Sequence, residues 1–280
     1  MDKPLIEEMP ETWIAADEPP AYEVVNGEGR GRVILTCDHA SARIPRRLGT
    51  LGVSAADRKR HVAWDIGAEV VARRLSERLD APLVLCGYSR LVVDCNRPLD
   101  QPEAFVTQSE DVQVPGNRSL GADERAGRAN AFYWPYHDAV NRVVGARTGG
   151  ERPPVLVAVH SFTPVYHGQR RPWHIGVLSR LDRRLAELLL GRFGADSALC
   201  VGDNDPYRVA LDDDYTIPVH GEIRGLPHAL LEIRQDLIAE DRGALDWAER
   251  LAGVLADLLG DPDLDHTRPP APDIREPRYE

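Results

Sequence analysis

The sequence predicts an α/β fold, a single domain in which a mostly parallel sheet carries helices on both faces. Three observations lead to this prediction. Short apolar runs alternate along the chain with longer segments of helical periodicity. The runs are almost continuously hydrophobic, which is typical of strands buried on both faces of a parallel sheet. The length of 280 residues fits one large α/β domain.

The first half of the chain contains three predicted strands and two predicted helices. The strands are VILTC at 33–37, PLVLC at 82–86 and RLVVDC at 90–95. One helix is predicted over 65–79, where apolar residues recur near one face. The other is predicted over 124–144, and Pro135 should kink or interrupt it because proline has no amide hydrogen to donate.

The second half continues the alternation. Strands are predicted for VLVAVH at 155–160 and ALLEIR at 229–234, and helices over 180–193 and 244–260. Residues 1–30 are rich in proline, glutamate and glycine, and we expect them to form an N-terminal arm. Residues 261–280 are rich in proline and charge, which is typical of a disordered tail. The folded domain is therefore predicted over 31–260.

Composition excludes several classes of partner. The chain has 42% hydrophobic and 28% charged residues, as ordinary soluble globular proteins do. Its formal net charge of −11 argues against non-specific binding to nucleic acid or to an anionic membrane, since both require a basic face. A local arginine cluster could still hold a small anionic substrate. No nucleic acid and no membrane are expected as partners, and the oligomeric state is left open.

The cysteines and the N-terminus predict a reduced, cytoplasmic protein. None of the four cysteines forms a C-x-x-C pair, so a thiolate zinc site is not expected. The N-terminal segment MDKPLIEEMPETW is acidic and lacks the apolar region of a secretory signal. No apolar run is long enough to span a bilayer.

Polar residues whose side chains could take part in chemistry lie at or near the ends of the predicted strands. They are His39 after VILTC, Asn96 and Arg97 after RLVVDC, His160 at the end of VLVAVH, and Glu232 inside ALLEIR. Asp65 stands at the start of the first predicted helix. A parallel sheet brings the carboxyl ends of its strands to one edge, which is where ligands bind in open α/β sheets. We therefore expect these residues to lie near one another.

The residue types at this edge suit metal-assisted hydrolysis. Two histidines and one carboxylate, with a fourth position open to water, are the ligands of a catalytic zinc site. A second carboxylate is then needed to take a proton from the water, and Glu232 is well placed for that role. An arginine beside an asparagine, as in Asn96-Arg97, could clamp a substrate carboxylate through its planar fork.

Each of these residues also has a purely structural interpretation. His39 can pair locally after its strand, and His160 can be a buried histidine with satisfied hydrogen bonds. Asp65 is a good helix N-cap. Glu232 is harder to explain in this way, because an unpaired buried carboxylate is costly. A partner could still come from one of two arginines, Arg224 and Arg234.

Five blocks of the sequence resemble the N-formylglutamate amidohydrolase family in order and approximate spacing. They are DHASARIP, HVAWDIGA, SRLVVDCNRP, VHSFTP with GVL downstream, and LLEIRQDLI. The pieces FYWPYH, RRPWHIGVL, GDNDPY and IPVHGEIRGLP also look familial, so the resemblance covers roughly residues 32–240. It implies a fold similar to that of zinc carboxypeptidases and zinc cell-wall amidases, a mixed α/β sheet with metal ligands at its strand ends.

The resemblance also implies roles for individual residues. It implies that His39 and His160 bind one Zn²⁺ and that Glu232 is the general base. The third ligand of the related amidases lies at the head of the next helix, which is Asp65 here, with Glu69 one turn later as the alternative. The remaining candidates are expected to bind substrate, and they are Asn96, Arg97, Arg90, His174 and His220.

The first block departs from the family pattern. Better-known members have Pro-His-Ser-Gly or Pro-His-Val-Gly where this chain has Asp38-His39-Ala40-Ser41. The ligand is kept and its neighbours differ, which is typical of a divergent branch. Asp38 beside the metal is expected to change the charge near the substrate.

Three functions are compatible with the sequence. The first, which the resemblance implies, is a zinc-dependent amidohydrolase that cleaves a small anionic N-acyl amino acid such as N-formylglutamate, by a zinc-activated water with Glu232 as base. The second is a zinc carboxypeptidase or peptide amidase, and the absence of a signal segment argues against work on cell walls. The third is a non-catalytic binding protein on the same fold. A site that had lost its catalytic function would have no reason to keep several costly buried charges. This argues against the non-catalytic binding protein.

Overall fold

The computed structural model describes residues 12–271 and residue 274. In chain order its strands are β1 (Tyr22–Val25), β2 (Val33–Cys37), β3 (Leu83–Cys86), β4 (Gln108–Ser109), β5 (Val112–Gln113), β6 (Val155–Phe162), β7 (Val165–Tyr166), β8 (Gln169–Arg170), β9 (Ile175–Leu178), β10 (Val201–Asp203) and β11 (His228–Arg234). The α-helices are α1 (Ala68–Leu79), α2 (Ala122–Arg128), α3 (Trp134–Gly145), α4 (Arg184–Gly194) and α5 (Asp241–Leu258).

Seven strands form one mixed sheet in the order β1-β3-β2-β6-β11-β9-β10. Strands β3, β2, β6 and β11 run parallel to one another, and β9 and β10 are parallel to each other. The two antiparallel contacts are β1 with β3 and β11 with β9. The predicted α/β class with a mostly parallel mixed sheet is therefore confirmed. The strands β4 with β5 and β7 with β8 form two separate short hairpins.

The sheet separates two hydrophobic cores. Alternate residues of each central strand point to opposite faces, so that Ile34 enters one core while its neighbours Val33 and Leu35 enter the other. The first core is closed by α3 with the segment before it, and the second by α1, α4 and α5. Helices therefore cover both faces, as the apolar strands predict.

Several sequence-based boundaries are corrected by the structure. RLVVDC at 90–95 is not a strand, although Leu91 to Cys95 are buried, because consecutive turns place this apolar run in the core. The strands β1, β9 and β10 were not predicted from the sequence. The second predicted helix is interrupted, as expected, by a π-helical stretch at Ala129–Tyr133 just before Pro135.

The segment that follows α5 is ordered over much of its length, which corrects the prediction of a disordered tail for 261–271. Leu264 is fully buried in the second core. Arg184 donates hydrogen bonds to the carbonyl oxygens of Asp263 and His266, at 3.0 and 2.6 Å. The amide of Arg268 donates to the Gly225 carbonyl at 2.8 Å. Residues 272, 273 and 275–280 of the predicted tail lie outside the described residues.

The predicted arm contributes an edge strand, since β1 pairs with β3 over four residues. The first eleven residues of the arm lie outside the described part of the chain. The domain limits at residues 30 and 260 stay a prediction. Within the described residues, no helix combines the length and the hydropathy needed to cross a membrane.

Candidate active site

A cavity of about 470 Å³ opens at the carboxyl ends of the central strands β2, β6 and β11. Most of the residues singled out from the sequence line it. They are His39, Asp65, Arg90, Asn96, Arg97, His160 and Glu232. His174 and His220 are not among the lining residues. The sheet topology thus gathers side chains that are up to 193 positions apart, from His39 to Glu232, at one edge.

Three buried side chains at this edge have the chemistry of a metal site. His39, Asp65 and His160 each offer a ligand atom, and these atoms all lie within 4.8 Å of one another. The Nδ1 atoms of both histidines face the same carboxylate oxygen, Asp65 Oδ2, at 3.3 and 2.9 Å. The two rings are nearly perpendicular, with centroids 5.0 Å apart. Glu69, the alternative third ligand, instead pairs with Arg73 on α1 at 2.8 Å.

Backbone hydrogen bonds hold this cluster in place. His39 follows β2 by two residues, and its carbonyl oxygen accepts from the amide of Asp65 at 2.9 Å. The Ser161 amide donates to Asp65 Oδ2 at 3.3 Å, and the Ser161 hydroxyl donates to the Ile66 carbonyl at 2.8 Å. Asp65 is therefore tied to the ends of both β2 and β6. Its side chain does not cap α1, whose N-cap residue is Gly67.

The second ring nitrogen of each histidine donates a hydrogen bond to a further carboxylate. His39 Nε2 donates to Asp94 Oδ1 at 2.7 Å, and His160 Nε2 donates to Asp38 Oδ2 at 3.0 Å. Such partners fix the tautomer of a metal-binding histidine and raise its basicity. The Nδ1 atoms of both rings are left facing Asp65 Oδ2, where either a proton or a metal ion can lie between them.

Asp38 is turned away from the cavity, which corrects its expected effect on the charge near the substrate. It is buried and is not a lining residue. Its Oδ1 accepts hydrogen bonds from the hydroxyls of Tyr136 and Thr216, at 2.6 and 2.8 Å. Asp38 therefore orients the His160 ring from the side that faces away from the cavity.

The electrostatics of the cluster favour a bound cation. Burial raises the pKa of Asp38, but the hydrogen bond and charge of His160 outweigh it and lower this pKa to about 2. The pKa of Asp65 is likewise lowered, against burial, by the charges and hydrogen bonds of the two histidines. Burial lowers the pKa of His160, yet its bonds to Asp38 and Asp65 raise it well above the ordinary value. Asp38 and Asp65 therefore stay ionised, and without a metal the positive charge that balances them is that of the protonated histidines.

Glu232 faces the same cavity from the next strand. In the parallel pairing of β6 with β11 it stands directly opposite His160. It is 7% exposed, and its Oε2 has no hydrogen-bond partner among the described residues. Burial raises the pKa of Glu232 to about 7, with the charge of His160 acting in the opposite direction. Arg224 bonds to His220 and Arg234 to Asp236.

The polar atoms of Asn96 and Arg97 are engaged within the protein. Asn96 Nδ2 donates to Asp214 Oδ1 at 2.9 Å, and Asn96 Oδ1 accepts from the amide of Thr216 at 3.0 Å. Arg97 Nε lies 3.1 Å from Asp213 Oδ1, and its Nη1 donates to the Asp213 carbonyl oxygen. Both residues line the cavity and also hold the loop at 213–216.

Arg90 lies between two carboxylates of the site. Its Nη2 lies 2.7 Å from Asp94 Oδ2, and its Nη1 lies 3.7 Å from Asp65 Oδ1. Burial lowers the pKa of Arg90, but the charges of Asp94 and Asp65 outweigh it and raise the pKa. Arg90 therefore keeps its charge and connects Asp65 with the carboxylate that orients His39.

Two predicted substrate-binding histidines are placed elsewhere. His174 Nδ1 accepts from the Cys200 amide at 2.8 Å, next to β9. His220 is fully buried, 3.1 Å from His137 Nδ1 and 3.2 Å from Arg224 Nη1. His137 in turn donates to the Cys95 carbonyl at 2.8 Å. The structure does not bring His174 or His220 to the cavity.

Other residues of the site were not identified from the sequence. Asp94 carries the same signal as Glu232, an acid inside an apolar run, and could have been found in that way. His61, Tyr207 and Arg208 line the cavity from loops. His61 Nε2 lies 3.1 Å from Glu110 Oε2. No periodic pattern indicates these three, because their position depends on loop conformation.

The donor set fits a divalent cation. Two neutral imidazole nitrogens and one carboxylate oxygen are the usual protein ligands of a catalytic zinc site, and both imidazoles have carboxylate partners on the other nitrogen. The unpartnered oxygen of Glu232 in the same cavity is suited to a water or substrate beside that cation. His39, Asp65 and His160 are therefore the residues that could hold a metal.

Comparisons with known proteins identify a family and two similar structures. The family model for N-formylglutamate amidohydrolase matches residues 31–239. The chain is similar to the crystal structure of a gene product from Agrobacterium tumefaciens, with 42% sequence identity, a TM-score of 0.85, and coverage of 88% of this chain and 98% of that chain. It also has the fold of the crystal structure of N-formylglutamate amidohydrolase from Ralstonia eutropha, with 18% identity, a TM-score of 0.57, and coverage of 85% and 99%. No curated protein matches the chain.

Proposed function

Because the chain belongs to the N-formylglutamate amidohydrolase family, we propose that it is a metal-dependent hydrolase. The bond that it cleaves in this proposal is the amide of an N-formyl amino acid, and the expected substrate is N-formylglutamate. One observation carries the proposal. Ligand atoms of His39, Asp65 and His160 lie within 4.8 Å of one another, in a cavity that also contains Glu232, whose Oε2 has no hydrogen-bond partner in the described part of the chain.

His39, Asp65 and His160 would hold the cation, with zinc as the expected metal. When bound, such a cation lowers the pKa of an adjacent water towards ~7 and polarises the carbonyl group of the amide. Asp94 and Asp38 keep the Nε2 protons on His39 and His160, so that the Nδ1 atoms are free to act as ligands. This arrangement explains why three buried acids, Asp38, Asp65 and Asp94, surround two histidines.

Glu232 is proposed as the general base and acid. A base is most effective when its pKa lies near the working pH, and burial raises the pKa of Glu232 to about 7. The carboxylate takes a proton from water as the water oxygen attacks the formyl carbon. It then gives the proton to the departing amine nitrogen when the carbon–nitrogen bond breaks. The products are formate and the free amino acid.

A formate-release assay tests the proposal. The protein is stripped with a chelator, reloaded with Zn²⁺, Mn²⁺ or Co²⁺, and given N-formyl-L-glutamate, N-acetyl-L-glutamate or a short peptide with a C-terminal glutamate. We expect formate release that disappears on stripping and returns on reloading, with N-formylglutamate the best substrate.

Two results would contradict the proposal. If the peptide is cleaved and the formyl amino acid is not, the protein is a carboxypeptidase on this fold. If hydrolysis continues at the same rate after the metal content has fallen to background, the His39, Asp65 and His160 cluster is not a catalytic metal site.

A further inference from the structure

The cavity is lined by three arginines, and two of them are already paired with carboxylates. Arg90 is paired with Asp94, and Arg97 is paired with Asp213. Their charges are therefore largely neutralised within the protein. An anionic substrate would have to displace these pairs or find another cation.

Arg208 is the third arginine of the lining, and its guanidinium has no ion pair or hydrogen bond within the part of the chain that the structure describes. It is exposed, whereas Arg90 and Arg97 are only 24% and 19% exposed at their side chains. Arg208 is thus a cation available to a ligand.

The backbone that carries Arg208 is held on both sides. The preceding Tyr207 accepts a hydrogen bond from Arg171 Nη1 at 2.8 Å, and its ring stacks on the same guanidinium at 4.7 Å. The following Val209 is buried in the first core. Farther along, Asp214 accepts from Asn96 at 2.9 Å. The free side chain of Arg208 therefore projects from an anchored segment into the cavity.

The position of Arg208 within the cavity indicates which part of a substrate it would meet. The formyl group must reach the buried His39, Asp65 and His160 cluster and Glu232. Because Arg208 is exposed, it lies toward the mouth, and a substrate with its formyl group at the cluster presents its opposite end there. In an N-formyl amino acid that opposite end is the tip of the side chain.

Because its neighbours are acidic, this part of the cavity needs a positively charged side chain to bind an anionic group. Glu103, Asp213 and Asp214 also line the cavity, and the chain as a whole has a net charge of −11. A second substrate carboxylate would be repelled by these groups unless a positive charge compensates. Arginine suits the purpose because its planar fork can bind a carboxylate through two hydrogen bonds.

We propose that Arg208 binds the side-chain carboxylate of the substrate and so selects acidic over neutral N-formyl amino acids. The inference rests on the proposed function, because it takes the orientation of the substrate from the position of the metal cluster. The sequence predicted that Arg97 binds a substrate carboxylate, and the proposal gives the side-chain carboxylate to Arg208 instead.

The test compares two nearly isosteric substrates, N-formyl-L-glutamate and N-formyl-L-glutamine, on wild type and the Arg208→Gln variant. The wild-type protein should prefer the glutamate compound. In Arg208→Gln, the KM for N-formylglutamate should rise about tenfold, as expected for loss of a charged hydrogen bond. Values of kcat/KM for N-formylglutamine should stay the same. Arg170→Gln is the matched control, since Arg170 is also exposed but does not line the cavity.

The Arg97→Gln variant separates the two assignments. Because Arg97 holds the loop at Asp213, its loss should lower kcat/KM for both substrates by a similar factor. If Arg97→Gln removes the preference for glutamate while Arg208→Gln keeps it, the proposal is overturned. An unchanged preference in Arg208→Gln overturns it as well.

A binding measurement keeps this inference distinct from the proposed function. The products L-glutamate and L-glutamine are titrated calorimetrically into the same variants, which requires no turnover. Failure of the wild-type protein to hydrolyse either formyl compound would contradict the proposed function alone. The Arg208 proposal is then supported if the variant loses a preference for glutamate that the wild type shows. It is overturned if the wild type shows no preference or the variant retains it.

Discussion

Each histidine of the proposed metal site lies between two carboxylates. His39 contacts Asp65 and Asp94, and His160 contacts Asp65 and Asp38. Single buried acids would be costly, but each of these carboxylates has imidazole or guanidinium partners. Glu232 differs, since one of its oxygens has no hydrogen-bond partner among the described residues. At the scale of single residues, this difference separates the groups proposed to hold a cation from the group proposed to move a proton.

The role of Glu232 leads to a prediction for Glu232→Gln. The amide has the same shape but cannot accept the proton, so kcat should fall by roughly 10²–10⁴-fold while the metal content is kept. The folded-state pKa of about 7 lies above the ordinary value of 4.5, so ionisation of Glu232 destabilises the fold progressively above pH 4.5. At pH 8 the melting temperature of the stripped variant should therefore equal or exceed that of the stripped wild type.

Kinetics, metal analysis and thermal melting on one preparation check this prediction. Glu103→Gln is the control, because Glu103 is an exposed carboxylate of the same cavity. For the wild type, activity should decline on the acid side as Glu232 becomes protonated. Near-normal turnover in Glu232→Gln would show that another group is the base.

At this scale the sequence predicted the location of residues whose chemistry conflicts with their surroundings. Glu232 in an apolar strand and His39 at the end of one are both anomalous, and both line the cavity. His174 and His220 lie in equally suggestive motifs, yet their imidazoles bond to Cys200 and to His137 away from the cavity. A polar motif in a loop does not specify the direction of its side chain, so the sequence could not distinguish these cases.

Secondary-structure elements set the relative positions of the site residues. The register of β6 with β11 places His160 opposite Glu232, and a slip of one residue would turn either side chain to the other face of the sheet. These long apolar strands were predictable. The turns at 90–95 were not, because buried turns and buried strands have the same apolar composition. Those turns carry Arg90 and Asp94 to the site.

The turn into α1 is a second determinant of geometry, and it gives a prediction for Gly67→Ala. Gly67 has φ +81°, and an added Cβ would lie 2.1 Å from the Ile238 carbonyl oxygen. The variant should lose roughly 2–4 kcal/mol of unfolding free energy, since both the backbone conformation and the contact are unfavourable for alanine. Asp65 lies two residues earlier, so metal affinity should also fall.

Denaturant unfolding and metal titration measure both effects. Gly253→Ala in α5 is the control, because an added Cβ there meets no atom within 4 Å and alanine favours the helix by about 0.5–1 kcal/mol. Equal stability and equal metal affinity in Gly67→Ala and wild type would show that this turn does not position Asp65.

In the molecule as a whole, the sheet that carries the cavity at its edge lies between two cores. Alternation of apolar runs and helices was sufficient to predict this layered arrangement, because burial on both sheet faces requires it. The short strands β1, β9 and β10 carry too few residues for a pattern, and their places depend on pairing with β3 and β11. Part of the C-terminal segment also packs on the fold through Leu264, which its proline-rich composition conceals.

The central claim is that this edge holds one catalytic metal through His39, Asp65 and His160, and the metal content of His160→Ala tests it most directly. Wild type, His160→Ala and the control His167→Ala, an exposed histidine of the same cavity, are purified without chelator and analysed by elemental mass spectrometry. Circular dichroism checks that each variant is folded. We predict one divalent cation per chain in wild type and in the control, and loss of both metal and hydrolysis in folded His160→Ala. Full metal occupancy in His160→Ala, or an active wild type without metal, would contradict the account.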